Sequence, residues 1–221
     1  MKPDKIRVYI LEFILLAILS FTLFVSKVNS RIILACLLTV CTVATSILLK
    51  KRNIVSVHAK KVNTVIAILA IIYLVGFYLM GLHFGYYKAR LTFGYTTIIQ
   101  HIIPIAIIII SSEMLRNILL AQNTKFTKTI TFIVMVIVDL LIYANLYTAD
   151  SYEELLELIG FSFFSSMACN LFYNYSTVRY GSAGNIIFRL ITILYAYIIP
   201  IIPNVFIFFR SILRIIYPYI M

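Results

Sequence analysis

Residues 32–52 read IILACLLTVCTVATSILLKKR: eighteen uncharged residues from Ile32 to Leu49, then three consecutive cations, Lys50, Lys51 and Arg52. Eighteen apolar residues in a helix reach about 27 Å, close to the roughly 30 Å hydrocarbon thickness of a bilayer, and a basic cluster at the end marks where such a helix meets headgroups. The same grammar repeats along the chain. Charge-free or nearly charge-free stretches run over Val8–Val25, with Glu12 one turn inside, and over Thr64–Leu82. Others are Thr97–Ser112 with its continuation to Leu120, Ile130–Tyr147 with Asp139 inside it, Leu155–Tyr173 and Ile186–Ile202. The expected fold class is therefore all-α: a polytopic transmembrane helix bundle of seven spans in a single domain over residues 1–221.

Composition points the same way. Hydrophobic residues are 62% of the 221 and charged residues 12%, against roughly 45–50% and 25% in soluble proteins. Mean hydropathy is +1.02. The surface polarity needed for water is missing, and runs this long exclude a β-barrel, whose strands alternate over about ten residues. Val8–Val25 follows Lys2, Lys5 and Arg7 but precedes no small-residue cleavage site, so it reads as a retained span rather than a signal peptide.

An eighth apolar stretch, Val205–Met221, carries Arg210 and Arg214 four residues apart on one helical face, behind the bends expected at Pro200 and Pro203. It fits either an interfacial helix or a span whose arginines snorkel or face neighbouring helices.

The net charge of +11 would suggest nucleic acid on a soluble protein. Here its distribution matters more. With the N-terminus in the cytoplasm, thirteen of the Lys and Arg residues fall inside and four, Lys27, Arg31, Lys88 and Arg90, fall outside with the acidic stretch Asp150–Glu157. That bias orients the chain by the positive-inside rule and gives its cations anionic lipid headgroups as partners. The expected location is a bacterial plasma membrane, multi-pass, with no nucleic-acid partner. Tyr86, Tyr87, Tyr95, Tyr147, Tyr152, Tyr217 and Tyr219 stand where an interfacial aromatic belt belongs. Cys36, Cys41 and Cys169 all lie within expected spans and form no disulfide framework.

Intramembrane protease chemistry fails on spacing. Glu153-Glu154 is not followed by Arg at position 158, and Gly160-Phe161-Ser162 has no histidine downstream to take a proton. Asp139 lacks a second intramembrane aspartate, and the last lysine, Lys128, precedes Ser166. His58, His83 and His101 form no ligand spacing, and Gly181–Gly184 lacks the lysine of a phosphate-binding loop. No cofactor or metal is expected.

What remains are ionisable and amide groups at membrane depth, which are costly there and so informative. Glu113 and Arg116 share a helix face three residues apart and can neutralise each other. Asp139 needs a partner on another helix, and Arg189, one turn into the seventh stretch, is the candidate. Asn170, Asn174, Arg179, Asn185 and Arg189 read as a polar run through the loop after the sixth stretch, lining a cavity or hydrogen-bonding between helices.

Glu113-x-x-Arg116, then Asp139-Leu-Leu-Ile-Tyr-Ala-Asn145, then the run Asn185–Pro203 with Arg189 and a double Ile-Ile-Pro resemble the multispan N-terminal membrane region attached to some bacterial signal peptidase I-like proteins. The resemblance covers about residues 91–217 and implies a membrane module with peptidase kinship. In those proteins a serine–lysine catalytic domain follows; residues 1–221 hold no such dyad, so no catalytic residue carries over. The expectation is a non-catalytic membrane module that anchors or packs against a membrane-protein partner or a second copy, or the membrane part of a longer hydrolase. The alternative is a small-solute permease using Asp139 and Arg189.

Overall fold

A computed structural model describes residues 30–49, 54, 56, 58–89, 91, 93–143 and 162–220. The span expected at Val8–Val25, the acidic stretch Asp150–Glu157, the last residues of the fifth stretch and the first of the sixth lie outside the described residues. The described chain is mostly helical, with seven helices. These are α1 (Ser30–Leu48), α2 (Ala59–Phe84), α3 (Tyr95–Leu120), α4 (Lys125–Tyr143), α5 (Phe164–Tyr180), α6 (Ala183–Ile198) and α7 (Ile207–Ile220). Three of them, α1, α2 and α3, are long and apolar enough to cross a membrane; α2 and α3 have 26 residues each, about 39 Å.

Helix α3 is the axis of the bundle and packs against α1, α4, α5 and α6. Its residues from Ser111 to Leu120 are buried on almost every side, apolar and charged alike, apart from Met114. On one flank Leu34, Ala35 and Leu38 of α1 meet Ile108, Leu115 and Leu119 of α3 and Val134, Met135, Val138 and Ile142 of α4. On the other, Ile66 and Ala70 of α2 pack with Cys169 and Tyr173 of α5 and Phe188 of α6. The seam between α1 and α3 is polar. Thr39, Thr42 and Thr45 return their hydroxyls to the carbonyls of Ala35, Leu38 and Cys41, and Thr39 and Thr42 also meet Ser111, at 3.1 and 3.0 Å. A hydroxyl that satisfies itself on its own helix crosses an apolar interior at low cost.

The first turns of α3 contain a π-turn over Ile98–Ile102, just ahead of Pro104. Proline has no N–H to give, and the wider turn carries the helix past it. On α2 the outward residues are as apolar as the inward ones: Val65, Ile68, Ile72, Val75 and Leu79 are exposed while Ile66, Ala70 and Phe77 are buried. A helix that is hydrophobic on its outer face is suited to lipid.

The structure corrects several sequence boundaries. The polar run assigned to the loop after the sixth stretch is helical, because α5 continues to Tyr180; its Asn and Ser residues turn inward to polar partners on α3 and α4. Helix α5 stops at Gly181, whose φ is +91° and where a β-carbon would lie 2.8 Å from the Ile54 carbonyl oxygen. Gly181→Ala is expected to lower stability by about 1–3 kcal/mol through that strained φ and clash, read as a lower unfolding midpoint in detergent.

Ile201 and Ile202, assigned to the seventh stretch, leave the helix. Ile199 turns to an extended conformation (φ −92°, ψ 125°), as a residue before proline prefers. Ile201–Pro203 then forms β2, antiparallel to β1 (Tyr86–Lys88), pairing Tyr87 with Ile202. Ala89 N–H donating to Pro200 O and Asn204 N–H to Gly85 O extend the ladder. Tyr86 fits because Gly81 has no side chain; a β-carbon there would lie 2.4 Å from its ring.

The arginine-bearing segment is a 14-residue helix, α7, about 21 Å long and short of a full bilayer. It does not lie across the end of the bundle. Its ring contacts run down α2: Phe206 and Phe209 on Phe84, Arg210 over Phe77, Tyr217 on Tyr73. The Tyr217 hydroxyl donates to Leu69 O, and its ring stacks on Phe188 at 6.3 Å. Helix α7 is thus antiparallel to α2, with Tyr217 partly buried at the contact.

Candidate functional site

Three helices bring four formal charges to one buried place. Glu113 and Arg116 come from α3, Asp139 from α4 and Arg189 from α6; their exposures are 0%, 0%, 2% and 0%. Arg116 Nε lies 3.1 Å from Glu113 Oε2, the ion pair expected from the i,i+3 spacing. Arg189 also pairs with Asp139, as the sequence suggested, and through its other nitrogen with Glu113 Oε1 at 2.5 Å.

Asn170 of α5 closes the circuit. Its amide nitrogen donates to Asp139 Oδ2 at 2.6 Å, and its amide oxygen accepts from Arg116 Nη2 at 2.6 Å. Glu113, Arg189, Asp139, Asn170 and Arg116 therefore form a closed ring with two negative and two positive members. An asparagine suits the closing position because it offers a donor to a carboxylate and an acceptor to a guanidinium at once.

Other polar residues hold the ring in register. Asn185, buried at the start of α6, donates to Thr177 Oγ1 at 2.9 Å and Tyr173 O at 3.0 Å, and reaches Glu113 Oε2 at 3.3 Å. Asn174 accepts from Arg116 Nη1 at 2.9 Å. Ser112 takes a 3.3 Å hydrogen bond from Arg189 and passes its own proton to Ile109 O. Both guanidinium carbons stand over one aromatic ring, Tyr173, at 5.4 Å for Arg116 and 5.6 Å for Arg189. Two cations on one buried ring gain a desolvated cation–π contact each.

Of the eight polar candidates, the structure brings together Glu113, Arg116, Asp139, Asn170, Asn174, Asn185 and Arg189. Arg179 stands apart: it is exposed on the last turn of α5, with its guanidinium 4.9 Å over Tyr175. Sequence reasoning missed Tyr173 and Ser112, whose types carry no charge signal. It also missed Asn117, which anchors the segment before α2 by accepting from Ile54 N at 2.9 Å and donating to Ile54 O and Ser182 Oγ.

Beside the ring is a cavity of about 20 Å3, bordered by Asp139, Ser165, Ser166, Cys169, Thr192 and Arg214. That is room for roughly one water molecule. Ser166 Oγ is 3.5 Å from Asp139 Oδ2. Among the described residues no three His, Cys, Asp or Glu side chains gather as a metal site. His101, in the π-turn of α3, instead meets Arg31 at Nδ1, 3.0 Å, and stacks on Tyr197.

Fold and site together define a class: a helical protein with three membrane-length apolar helices, built around a buried, charge-balanced ring. No protein family, characterised protein or solved structure matches the chain.

Proposed function

We propose that the chain is a multi-pass integral membrane module, non-catalytic within residues 1–221, in which the ring pins α3, α4, α5 and α6 so that the module can anchor or pack against a membrane partner. The supporting observation is the ring itself: its charges sum to zero, each member is hydrogen-bonded or ion-paired within the protein, and the adjoining space holds about one water. A solute path needs a wetted route and an unmatched group for the cargo to engage. A structural pin needs its charges balanced inside the bundle.

In this reading α4, α5 and α6 also traverse the bilayer. Seven spans, with α7 dipping alongside α2 rather than crossing fully, complete the module in a bacterial plasma membrane. The cytoplasmic placement of the N-terminus rests on the distribution of cations. Arg116 and Arg189 belong to the ring and leave the loop tally, and the remaining eleven inside against four outside still favour that orientation. Kinship with the membrane region of signal peptidase I-like proteins is part of the proposal and rests on the motif order Glu113–Arg116, Asp139 and Arg189.

The second reading, a small-solute permease, is favoured by the cavity beside Asp139. Proteoliposomes separate the two. The wild-type chain is expected to leave small-solute flux at the level of empty liposomes, and Asp139→Asn is expected to change nothing. Flux that requires Asp139 in a folded protein would establish the permease and discard the pin.

A further inference from the structure

A larger cavity, about 550 Å3, opens at the end of the bundle carrying the β1–β2 pair, with Tyr87, Leu91, Tyr197, Asn204, Val205 and Arg210 among its walls. Its volume falls within the range of about 300–1,000 Å3 typical of ligand clefts. Its lining mixes apolar side chains with two tyrosines, an amide and a guanidinium.

The guanidinium is the unusual element. Arg210 is half-buried, 5.5 Å over the Phe77 ring, and its Nε is enclosed without a hydrogen-bond partner. The two described carboxylates, Glu113 and Asp139, form their ion pairs with Arg116 and Arg189. Arg210 also sits in the first turn of α7, where the helix dipole presents its positive end and disfavours a cation. A second cation lies two contacts behind the cleft, since Tyr197 stacks on His101 and His101 meets Arg31.

We infer that this cleft binds an anionic phospholipid, with the headgroup phosphate on Arg210 and the start of an acyl chain along Leu91, Ile202 and Val205. The guanidinium fork matches phosphate oxygens. Two features favour a lipid over a soluble phosphate. The cleft stands where α2 and α6 end, as a headgroup site would, and Leu91, Ala196, Ile202 and Val205 are in its lining. The inference is independent of whether the buried ring is a pin or a path.

The test uses the full chain in a non-ionic detergent, titrated with phosphatidylglycerol, phosphatidylcholine or glycerol 3-phosphate, with the thermal midpoint and native mass spectrometry as readouts. Phosphatidylglycerol is expected to raise the midpoint and remain bound, and the other two to do neither. Arg210→Gln should weaken phosphatidylglycerol binding roughly tenfold or more, the scale of a lost charged hydrogen bond. Arg210→Lys should weaken it less, and Arg179→Gln should leave it unchanged. Ala196→Phe keeps Arg210 and fills the cleft, so it should abolish the shift even if Arg210→Gln does not fold. Equal binding of phosphatidylcholine, an equal shift with glycerol 3-phosphate, or a shift retained in Arg210→Gln or Ala196→Phe would each overturn the inference.

Discussion

Asp139→Leu and Arg189→Leu are each expected to cost about 3–5 kcal/mol, whereas the double variant should recover a large part of that loss. The reason is charge parity in a closed ring. Removing Asp139 leaves Arg189 with Glu113 but gives the ring a net charge of +1 away from water, and leaves the Asn170 amide without its acceptor. Removing Arg189 strips a partner from both Glu113 and Asp139. Removing both leaves Glu113 and Arg116, an ion pair within one helix that is neutral by itself. The coupling energy in this cycle is expected at roughly 2–3 kcal/mol.

Ring topology adds a stricter expectation than simple pairing. Asp139→Leu with Arg116→Leu removes two residues whose charges do not touch, yet it also leaves a neutral, bonded pair, Glu113 with Arg189. It should be more stable than the like-charge double Glu113→Leu with Asp139→Leu, which strands two arginines. Unfolding midpoints in mixed micelles would read the order. If the two doubles are equally unstable, the ring is not a single charge-balanced unit.

The second large effect falls on an uncharged residue. Asn170→Leu removes one hydrogen bond to an anion and one to a cation, at 2.6 Å each, and leaves both charged groups under-satisfied. Hydrogen bonds to charged groups contribute about 1.5–3 kcal/mol apiece, so a loss of roughly 3 kcal/mol or more is expected. Asn170→Asp keeps the shape and changes the sum: a third carboxylate would face Asp139, and the ring would carry −1. It should be no more stable than Asn170→Leu despite preserving volume. An Asn170→Asp protein that unfolds like wild type would show that the position tolerates charge, and the closed-ring account would fail.

The Glu113–Arg116 pair was legible because helical geometry places i and i+3 side by side wherever the helix goes. The Asp139–Arg189 pair was legible for another reason: a lone charge at membrane depth demands a partner, and few were available. That Arg189 also serves Glu113 was not legible, since it depends on how α3, α4 and α6 approach. Asn170 stood out only as a polar residue in an apolar run, and its place in the ring requires α5 to pack against both α3 and α4. The end of α5 was misread because a helix whose inner face is polar looks like a loop in a hydropathy count. The β1–β2 pair joins segments more than a hundred residues apart, and only Pro200 and Pro203 hinted that the helix must stop.

From the sequence by itself follow the helical class, the suitability of its longest helices for a membrane and the identity of the groups that must be reconciled at depth. Those are local properties, set by hydropathy, by 1.5 Å per residue and by the cost of isolated charge in hydrocarbon. Only the tertiary structure decided that the four charges and one amide close into a ring, and that α7 runs down α2 with Arg210 beside a cleft. Both depend on distances between helices far apart in the chain, and in a bundle of similar Ile-rich helices the apolar pattern does not specify which helix meets which; the polar contacts do.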